Sequence, residues 1–372
     1  RRASLRLLDC FMADAAVAGI GNDVPRSVEG LFILAIVWSV GACVDFEGRK
    51  KFDAFLRILL SGDAKEIEGS DEYVDFKNKT PAYDDEVKRA SNLAPPAEGG
   101  SVHDFKFHCK TGTWASWVEP GSRFSIPKDA EFNSVVVPTV DTVRHEWLIE
   151  QLLVQGFHVL TTGDTGTGKS VSVKNHRLLS GEDDRYTNII LNFSAQTSAN
   201  QTQDIIDSKL DKRRKGVLGP PLGKTCFIFV DDLNMPAKEE FGAQPPIEIL
   251  RQWMDHAGWY NREENSFRQL IDIQFIAAMG PPGGGRTQIT QRYVRHFNMI
   301  NFVPFNQESL TRVFLTILDW SLGSYNNAVK SLSGAVVDAT ISIYEAIASG
   351  LLPTPMKSHY TFNLRDLSKV FQ

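Results

Sequence analysis

The sequence is poor in cysteine and has no spacing of cysteine or histidine that is typical of a metal site. Its four cysteines lie far apart and form no C-x-x-C pair: Cys10, Cys43, Cys109 and Cys226. Scattered cysteines of this kind indicate small reduced core residues rather than a zinc site or a disulfide framework. Four histidines also lack ligand spacing and are interpreted as structural residues: His145, His158, His256 and His296.

Long apolar runs and a charge imbalance are missing as well. The longest apolar stretch covers residues 31–44, fourteen positions, whereas a membrane-spanning helix needs about 20, so we predict a buried core helix and no membrane partner. Lys and Arg number 40 and Asp and Glu 45, for a net charge of −5, which gives no support for a nucleic-acid partner. No signal peptide is visible, and the first residue is Arg rather than Met, so we expect a piece of a longer protein.

The composition is typical of a globular chain of two or three domains, with 372 residues, 42% hydrophobic and 23% charged. Apolar residues recur at helical spacing in residues 1–70, which predicts a helical unit. Prolines and single aromatic residues interrupt residues 71–134, a predicted connector. Residues 135–305 alternate strand and helix patterns, and residues 306–372 are predicted to be helical, with Asn363 capping the last helix.

One motif predicts a phosphate-binding loop. Its residues fit the pattern G-x-x-x-x-G-K-[ST]: Gly163, Asp164, Thr165, Gly166, Thr167, Gly168, Lys169 and Ser170. Glycines let backbone N–H groups surround phosphate oxygens, Lys169 supplies a charge for the β- and γ-phosphates, and the Ser170 hydroxyl suits Mg²⁺. A strand is predicted just before the loop, at residues 157–162, and a helix after it, at residues 171–179. The alternative is a glycine turn without a ligand.

A second motif follows about sixty residues later. Residues 226–230 form a continuous apolar run that ends in Asp231 and Asp232, which predicts a strand buried on both faces of a parallel sheet and a Walker B motif at its end. The first acid can hold Mg²⁺ through water, and the second can orient or deprotonate the attacking water. A strand that simply ends in a polar turn is the alternative.

The order of elements predicts a doubly wound parallel sheet. Five strands are expected, at residues 157–162, 189–193, 226–231, 273–279 and 299–303. Helices are expected at residues 141–155 with Asp141 as the N-cap, 200–212 and 246–256. Ligands of such sheets bind at the carboxyl ends of the strands, where both motifs lie.

Several longer motifs resemble the third AAA+ module of an axonemal dynein heavy chain. They are NFSAQTSAN at residues 192–200, KRRKG at 212–216, FVDDLNMP at 229–236, GAQPPIE at 242–248, PPGGGR at 281–286 and RHFN at 295–298. The connector resembles this family through VVVPTVDTVRHE at residues 135–146, and residues 1–70 are similar to the lid of the preceding module. The resemblance implies a P-loop NTPase fold, with a parallel five-stranded sheet flanked by helices and with α-helical lid subdomains.

The resemblance also implies a function and its partners. The family is a six-module ATPase ring that moves on microtubules in cilia and flagella, so we expect ATP or ADP with Mg²⁺, neighbouring AAA+ modules of the same chain, and a location in the cytoplasm, the cytoskeleton and the axoneme. Dynein intermediate and light chains, like microtubules, are expected to contact other parts of the heavy chain. The implied site residues are Val137, Pro138 and Thr139 at the adenine, Arg365 as the lid arginine called sensor II, and Arg295 or Arg292 as a finger to the neighbouring module. Arg365 or Arg295 could alternatively be an exposed surface residue.

Two departures from the family pattern bear on hydrolysis. The acid after Asp231 is Asp232, where many AAA+ ATPases have Glu, and Gly280 stands where many have a polar sensor residue. The shorter carboxylate and the missing side chain favour slow turnover or regulation. Three hypotheses follow: a slowly hydrolysing motor module, a nucleotide-binding module with negligible turnover, and a separate P-loop enzyme, which the family motifs disfavour.

Two other segments remain ambiguous. Residues 283–286 (Gly-Gly-Gly-Arg) could bind a second anion or form a flexible loop. Residues 212–215 could contact acidic tubulin, but a charge run is more typical of a solvated helix end.

Overall fold

The computed structural model describes residues 2–21, 23–61, 93–118, 124, 126–127, 132, 135–181, 183–352, 354, 356–357, 360 and 362–372. The predicted connector lies partly outside the described residues, which do not include 62–92. The chain divides into two compact units. The first is Arg1–Trp117 with Met299–Asn301, and the second is Val118–Asn298 with Phe302–Gln372.

Three helices dominate the first unit, as predicted. They are α1 (Arg2–Ala18), α2 (Val24–Ser39) and α3 (Phe46–Ser61). The Asp23 side chain caps α2 by accepting a hydrogen bond from Arg26 N, and α2 buries Leu34, Val37 and Trp38. The predicted core helix of residues 31–44 is thus confirmed up to Ser39, whereas Gly41–Cys43 form a short 3-10 helix. Within the described ranges, Val24–Cys43 is the one stretch long and apolar enough to cross a membrane, and 61% of its most apolar window is buried.

A hairpin lies in the part of the predicted connector that the structure describes. Its antiparallel strands are β1 (Phe105–His108) and β2 (Thr113–Ser116). The ring of Phe107 packs edge-on against Trp114, with centroids 5.3 Å apart. Aromatic side chains of the two strands thus pack against each other within the hairpin.

The second unit is built on a five-stranded parallel sheet, in the order β11-β3-β10-β7-β4. Its strands are β3 (His158–Gly163), β4 (Tyr186–Asn192), β7 (Thr225–Asp231), β10 (Ile273–Met279) and β11 (Phe297–Phe302). The central strands β7 and β10 are buried almost throughout, because their side chains are covered on both faces. All five predicted strands are confirmed, with ends shifted by a few residues.

A second sheet of four strands was not predicted from the sequence. Its strands, in sheet order, are β5 (Asp211–Arg214), β6 (Val217–Gly219), β9 (Phe267–Leu270) and β8 (Gly258–Tyr260). The basic run at residues 212–215 therefore belongs to a strand and its turn, and the interpretation as a helix end was wrong. The preceding helix ends at Lys209 instead of residue 212, because the chain turns into β5.

The helices of the second unit flank the motifs. They are α4 (Val140–Val154), α5 (Lys169–Lys174), α6 (Ala199–Lys209), α7 (Pro245–His256) and α8 (Gln291–Val294). The N-cap of α4 is Thr139, not Asp141 as predicted, because Thr139 and Thr142 form a reciprocal capping box. Helix α5 ends at Lys174 and is shorter than predicted.

The last helices share a small core of their own. They are α9 (Gln307–Ser321), α10 (Asn327–Lys330), α11 (Ser333–Gly350) and α12 (Leu364–Phe371). The core consists of Leu310, Phe314, Val337, Ile341 and Leu367. Asn363 caps α12 as predicted, with its side chain accepting from Arg365 N.

Candidate nucleotide-binding site

The glycines of the phosphate loop occupy positions that other residues would strain. Gly163, Gly166 and Gly168 have φ angles of +141°, +86° and +82°, which L side chains rarely adopt. A Cβ on Gly163 would lie 2.3 Å from the carbonyl oxygen of Phe302. The loop thus begins at Gly163, close to the main chain of Phe302, and leads directly into α5 at Lys169.

Lys169 points back into the loop. Its Nζ donates to the carbonyl oxygens of Gly163 at 2.8 Å and Asp164 at 2.6 Å, and to Thr167 Oγ1 at 3.2 Å. Burial, with a further contribution from the Arg286 guanidinium, lowers the pKa of Lys169 to about 8, although nearby carboxylates oppose this shift. A half-buried cation whose hydrogen-bond acceptors, among the described residues, are neutral oxygens favours an anionic ligand.

Two oxygen donors suited to Mg²⁺ meet at the start of α5. Ser170 Oγ donates to Asp231 Oδ1 at 2.7 Å, and Lys174 Nζ lies 3.1 Å from Asp231 Oδ2. Hydroxyl and carboxylate oxygens are the ligands that Mg²⁺ prefers, so the donor set fits the metal that the motif implies.

Asp232 follows on a tight turn. Its φ angle is +52°, and its side chain is 53% exposed, with Oδ1 3.9 Å from Arg286 Nη2. The backbone N–H of Asp232 donates to Asp231 Oδ1 at 3.2 Å. The two acids therefore have different surroundings, one paired with Ser170 and Lys174 and the other beside an arginine.

A cavity of about 480 Å³ is lined by Lys169 and Ser170, whereas Asp231 and Asp232 are not among its lining residues. Its volume is typical of small-ligand sites. One part of its lining is apolar and includes Phe132, Val135, Val137, Val313 and Ile317. The other part carries Lys169, Ser170, Lys174, Arg286 and Arg365. An apolar wall and a cationic wall together suit a base attached to a polyphosphate.

Two of the three residues predicted at the adenine line the cavity. Val137 and Thr139 line the cavity, and they are 4% and 1% exposed. Pro138 lies between them and is not among the lining residues. The structure therefore brings two of the three to the cavity, and their contact with a base stays a prediction.

Arg365 reaches the cavity from the lid. It lies on the first turn of α12 and lines the same space as Lys169. A Cβ on Gly166 would lie 3.1 Å from Asn363 Cβ, so the start of α12 touches the tip of the phosphate loop. This position is compatible with the predicted phosphate contact.

Arg292 and Arg295 are not part of this cavity. Arg295 is 60% exposed, and its Nη2 lies 2.8 Å from Asp255 Oδ1. Arg292 is exposed on α8. Their predicted role at a neighbouring module stays a prediction.

Sequence reasoning missed Arg286 as a residue of the site. The side chain lines the cavity, and a Cβ on Gly280 would lie 2.8 Å from Arg286 Nε. Asn234 was also missed, and its Nδ2 donates to the Gly280 carbonyl oxygen at 2.8 Å. The glycine-rich turn before Arg286 was the one signal in the sequence, and it did not indicate where the arginine points.

Three family models match the chain in succession. Residues 2–119 match the dynein heavy chain AAA lid domain, residues 124–305 the P-loop containing dynein motor region, and residues 336–372 the AAA+ lid domain. The fold, a five-stranded parallel sheet with a phosphate loop and helical lids, is that of an AAA+ P-loop module.

Curated relatives are similar over almost the whole chain. Dynein axonemal heavy chain 1 of Mus musculus is 44% identical over 389 aligned residues, which cover 99% of this chain and 9% of that protein. Dynein axonemal heavy chain 3 of Mus musculus is 44% identical over 93% of this chain and 8% of that protein, and dynein axonemal heavy chain 12 of Mus musculus is 42% identical over 92% and 11%. The chain thus spans about a tenth of the length of these relatives. With its lid, phosphate loop and second lid in this order, it belongs to the axonemal dynein heavy chain family.

Proposed function

We propose that this module, the third of a dynein ring, binds Mg²⁺ with ATP or ADP and hydrolyses ATP slowly, so that its nucleotide state regulates microtubule-based motility of cilia or flagella. The observation that carries the proposal is the hydrogen bond of 2.7 Å between Ser170 and Asp231 beside Lys169. It brings together, from two motifs sixty-one positions apart, the groups that a nucleotide–metal complex needs. Neighbouring modules of the same heavy chain, the motor's other chains and the microtubule are the partners that this proposal implies.

Each residue has a role in the proposed reaction. Lys169 binds the β- and γ-phosphates, while Ser170 and Asp231 hold Mg²⁺, which neutralises phosphate charge when bound. Asp232 orients or deprotonates the attacking water. Arg365 binds phosphate from the lid. Val137 and Thr139 exclude water around the base.

Nucleotide binding without significant hydrolysis is a second candidate. It is favoured by Gly280, which has no side chain to position water, and by the guanidinium of Arg286, which fills the adjacent space. It is favoured further by Asp232, whose short carboxylate is more than half exposed.

The experiment that tests the proposal is calorimetric titration of this chain with ATP and ADP in the presence of Mg²⁺. We expect Lys169→Ala to weaken both affinities by about 100-fold or more, since it removes a half-buried charged donor. Lys215→Ala, in the turn between β5 and β6, is the matched control and should bind as the wild type does. Equal affinity in Lys169→Ala would disprove the phosphate-loop assignment.

Single-turnover hydrolysis separates the two candidates. Measurable turnover by the wild-type chain that Lys169→Ala abolishes supports a slow ATPase. Binding without turnover, even beside the neighbouring module, supports the binding-only candidate.

A further inference from the structure

The loop of residues 280–287 carries Arg286 into the cavity that Lys169 and Ser170 also line. At the start of the loop, a Cβ on Gly280 would lie 2.8 Å from Arg286 Nε and 2.9 Å from its Cδ. The arginine therefore occupies the space that a side chain at position 280 would need. Arg286 can thus take this position because residue 280 is a glycine.

Buried hydrogen bonds fix the ends of this loop. Asn234 is fully buried. Its side-chain Nδ2 donates to the Gly280 carbonyl oxygen at 2.8 Å, and its main-chain carbonyl oxygen accepts from Thr287 N at 2.9 Å. Within the loop, the backbones of Gly283 and Arg286 exchange two hydrogen bonds of 3.0 Å. The position of Arg286 is thus set by the turn that follows β7.

The guanidinium itself is incompletely paired. Within the described part of the chain, its buried Nε has no hydrogen-bond partner, and Nη2 lies 3.9 Å from Asp232 Oδ1, beyond hydrogen-bond distance. An unsatisfied buried donor on a charged group is costly. Arg286 also contributes to the lowered pKa of Lys169, so two cations repel each other across the cavity until an anion lies between them.

We propose that Arg286 distinguishes a nucleoside triphosphate from a diphosphate by donating to the γ-phosphate, in place of the polar side chain that is missing at Gly280. The inference rests on the proposed function, because it requires that nucleotide binds in this cavity. ADP has no γ-phosphate, so Arg286 stays beside Asp232 when ADP is bound. The planar guanidinium suits two phosphate oxygens at once, which a lysine does not.

The test compares affinities for the β,γ-imido analogue of ATP and for ADP, measured by calorimetry with Mg²⁺. For Arg286→Met we expect about 10- to 100-fold weaker binding of the analogue and ADP binding within about twofold of the wild type. Gly280→Ala should give the same selective loss, because its Cβ displaces the guanidinium. Arg185→Met is the matched control, since Arg185 is 72% exposed and paired with Asp183, and it should change neither affinity.

The ratio of the two affinities is the decisive readout, because a purely structural role would not change it. Equal weakening of both ligands in Arg286→Met, or no weakening of either, overturns this inference and leaves the proposed function intact. If Arg286→Met does not fold, as judged by circular dichroism, the ratio in Arg286→Lys and Gly280→Ala decides in the same way. Failure of the wild-type chain to bind either ligand overturns the proposed function and this inference together.

Discussion

Gly163 is the last residue of β3 and lies against the backbone of the neighbouring strand β11. Its φ angle is +141°, and a Cβ would approach the Phe302 carbonyl oxygen to 2.3 Å. Backbone atoms cannot move aside as a flexible side chain could. The position therefore combines conformational strain with a direct clash for every residue except glycine.

We expect Gly163→Ala to lower the free energy of unfolding by about 2–4 kcal/mol, because both effects add. Gly156→Ala is the control, since Gly156 also has a positive φ of +78° but no atom of the described residues lies within 4 Å of its added Cβ. It should cost only about 1 kcal/mol. Urea unfolding followed by circular dichroism measures both, and equal losses would contradict the clash at Gly163.

His176 is a buried residue whose charge depends on pH. Its Nε2 lies 3.0 Å from the Glu146 carbonyl oxygen, and its Nδ1 accepts from Leu178 N at 3.2 Å. Only the neutral ring with its proton on Nε2 satisfies both contacts. Burial lowers the pKa of His176 below its ordinary value of 6.5.

Stability should therefore fall in mild acid. Below about pH 6.5 the unfolded chain binds a proton at this histidine that the folded chain does not, so the free energy of unfolding decreases as pH falls toward the folded pKa. Urea unfolding at pH 7.5 and pH 5 measures how much the free energy of unfolding decreases in acid. We expect this decrease to be smaller for His176→Gln than for the wild type. His256→Gln, at an exposed position, should keep the full decrease. The same decrease in all three proteins would argue against His176 as the source.

Among the elements, α12 begins next to Gly166 of the phosphate loop. Its N-cap Asn363 accepts from Arg365 N at 2.9 Å and receives a reciprocal contact from Asp366, whose carboxylate accepts from Asn363 N at 3.1 Å. The capping box fixes the first turn of the helix. Because Arg365 is on that turn, the cap also positions a cationic side chain of the cavity.

Asn363→Ala should lower the free energy of unfolding by about 1 kcal/mol and also weaken ATP binding several-fold, because the first turn of α12 loses its anchor. Asn326→Ala is a matched control, since Asn326 caps α10 through Val329 N at 3.0 Å and does not line the cavity. It should lose similar stability with unchanged affinity. Thermal unfolding and calorimetric titration provide the two readouts. Identical ATP affinity in both variants would show that the Asn363 cap does not influence nucleotide binding.

For the molecule as a whole, the parallel sheet could be predicted because burial on both faces requires nearly continuous apolar strands. Residues 226–230 are apolar throughout and residues 273–279 are apolar except for Gln274, and they became β7 and β10. The four-stranded sheet could not be predicted in the same way. Its strand β5 is charged and mostly exposed. Its strand β6 pairs with β9, which lies far away in the sequence, and such pairing leaves no local periodicity.

The site shows the same division. The phosphate loop was predictable because its glycines are required by local backbone geometry and Lys169 by charge, in line with the φ angles of Gly163, Gly166 and Gly168 and with the contacts of Lys169. Arg286 was not predictable from the sequence. Its place in the cavity depends on Asn234, fifty-two positions earlier in the sequence, and on the missing side chain of Gly280, whose space it occupies. Contacts between segments so far apart leave no spacing pattern in a single sequence.

The left-handed conformation of Asp232 has a consequence for how this turn can evolve. Apart from glycine, short side chains that bond to their own backbone, such as Asp and Asn, tolerate a φ of +52° best. A mutation to the longer acid found in many AAA+ ATPases would therefore meet backbone strain before any gain in reach. Unless the turn also changed shape, the exchange would therefore cost on the order of 1 kcal/mol in backbone strain.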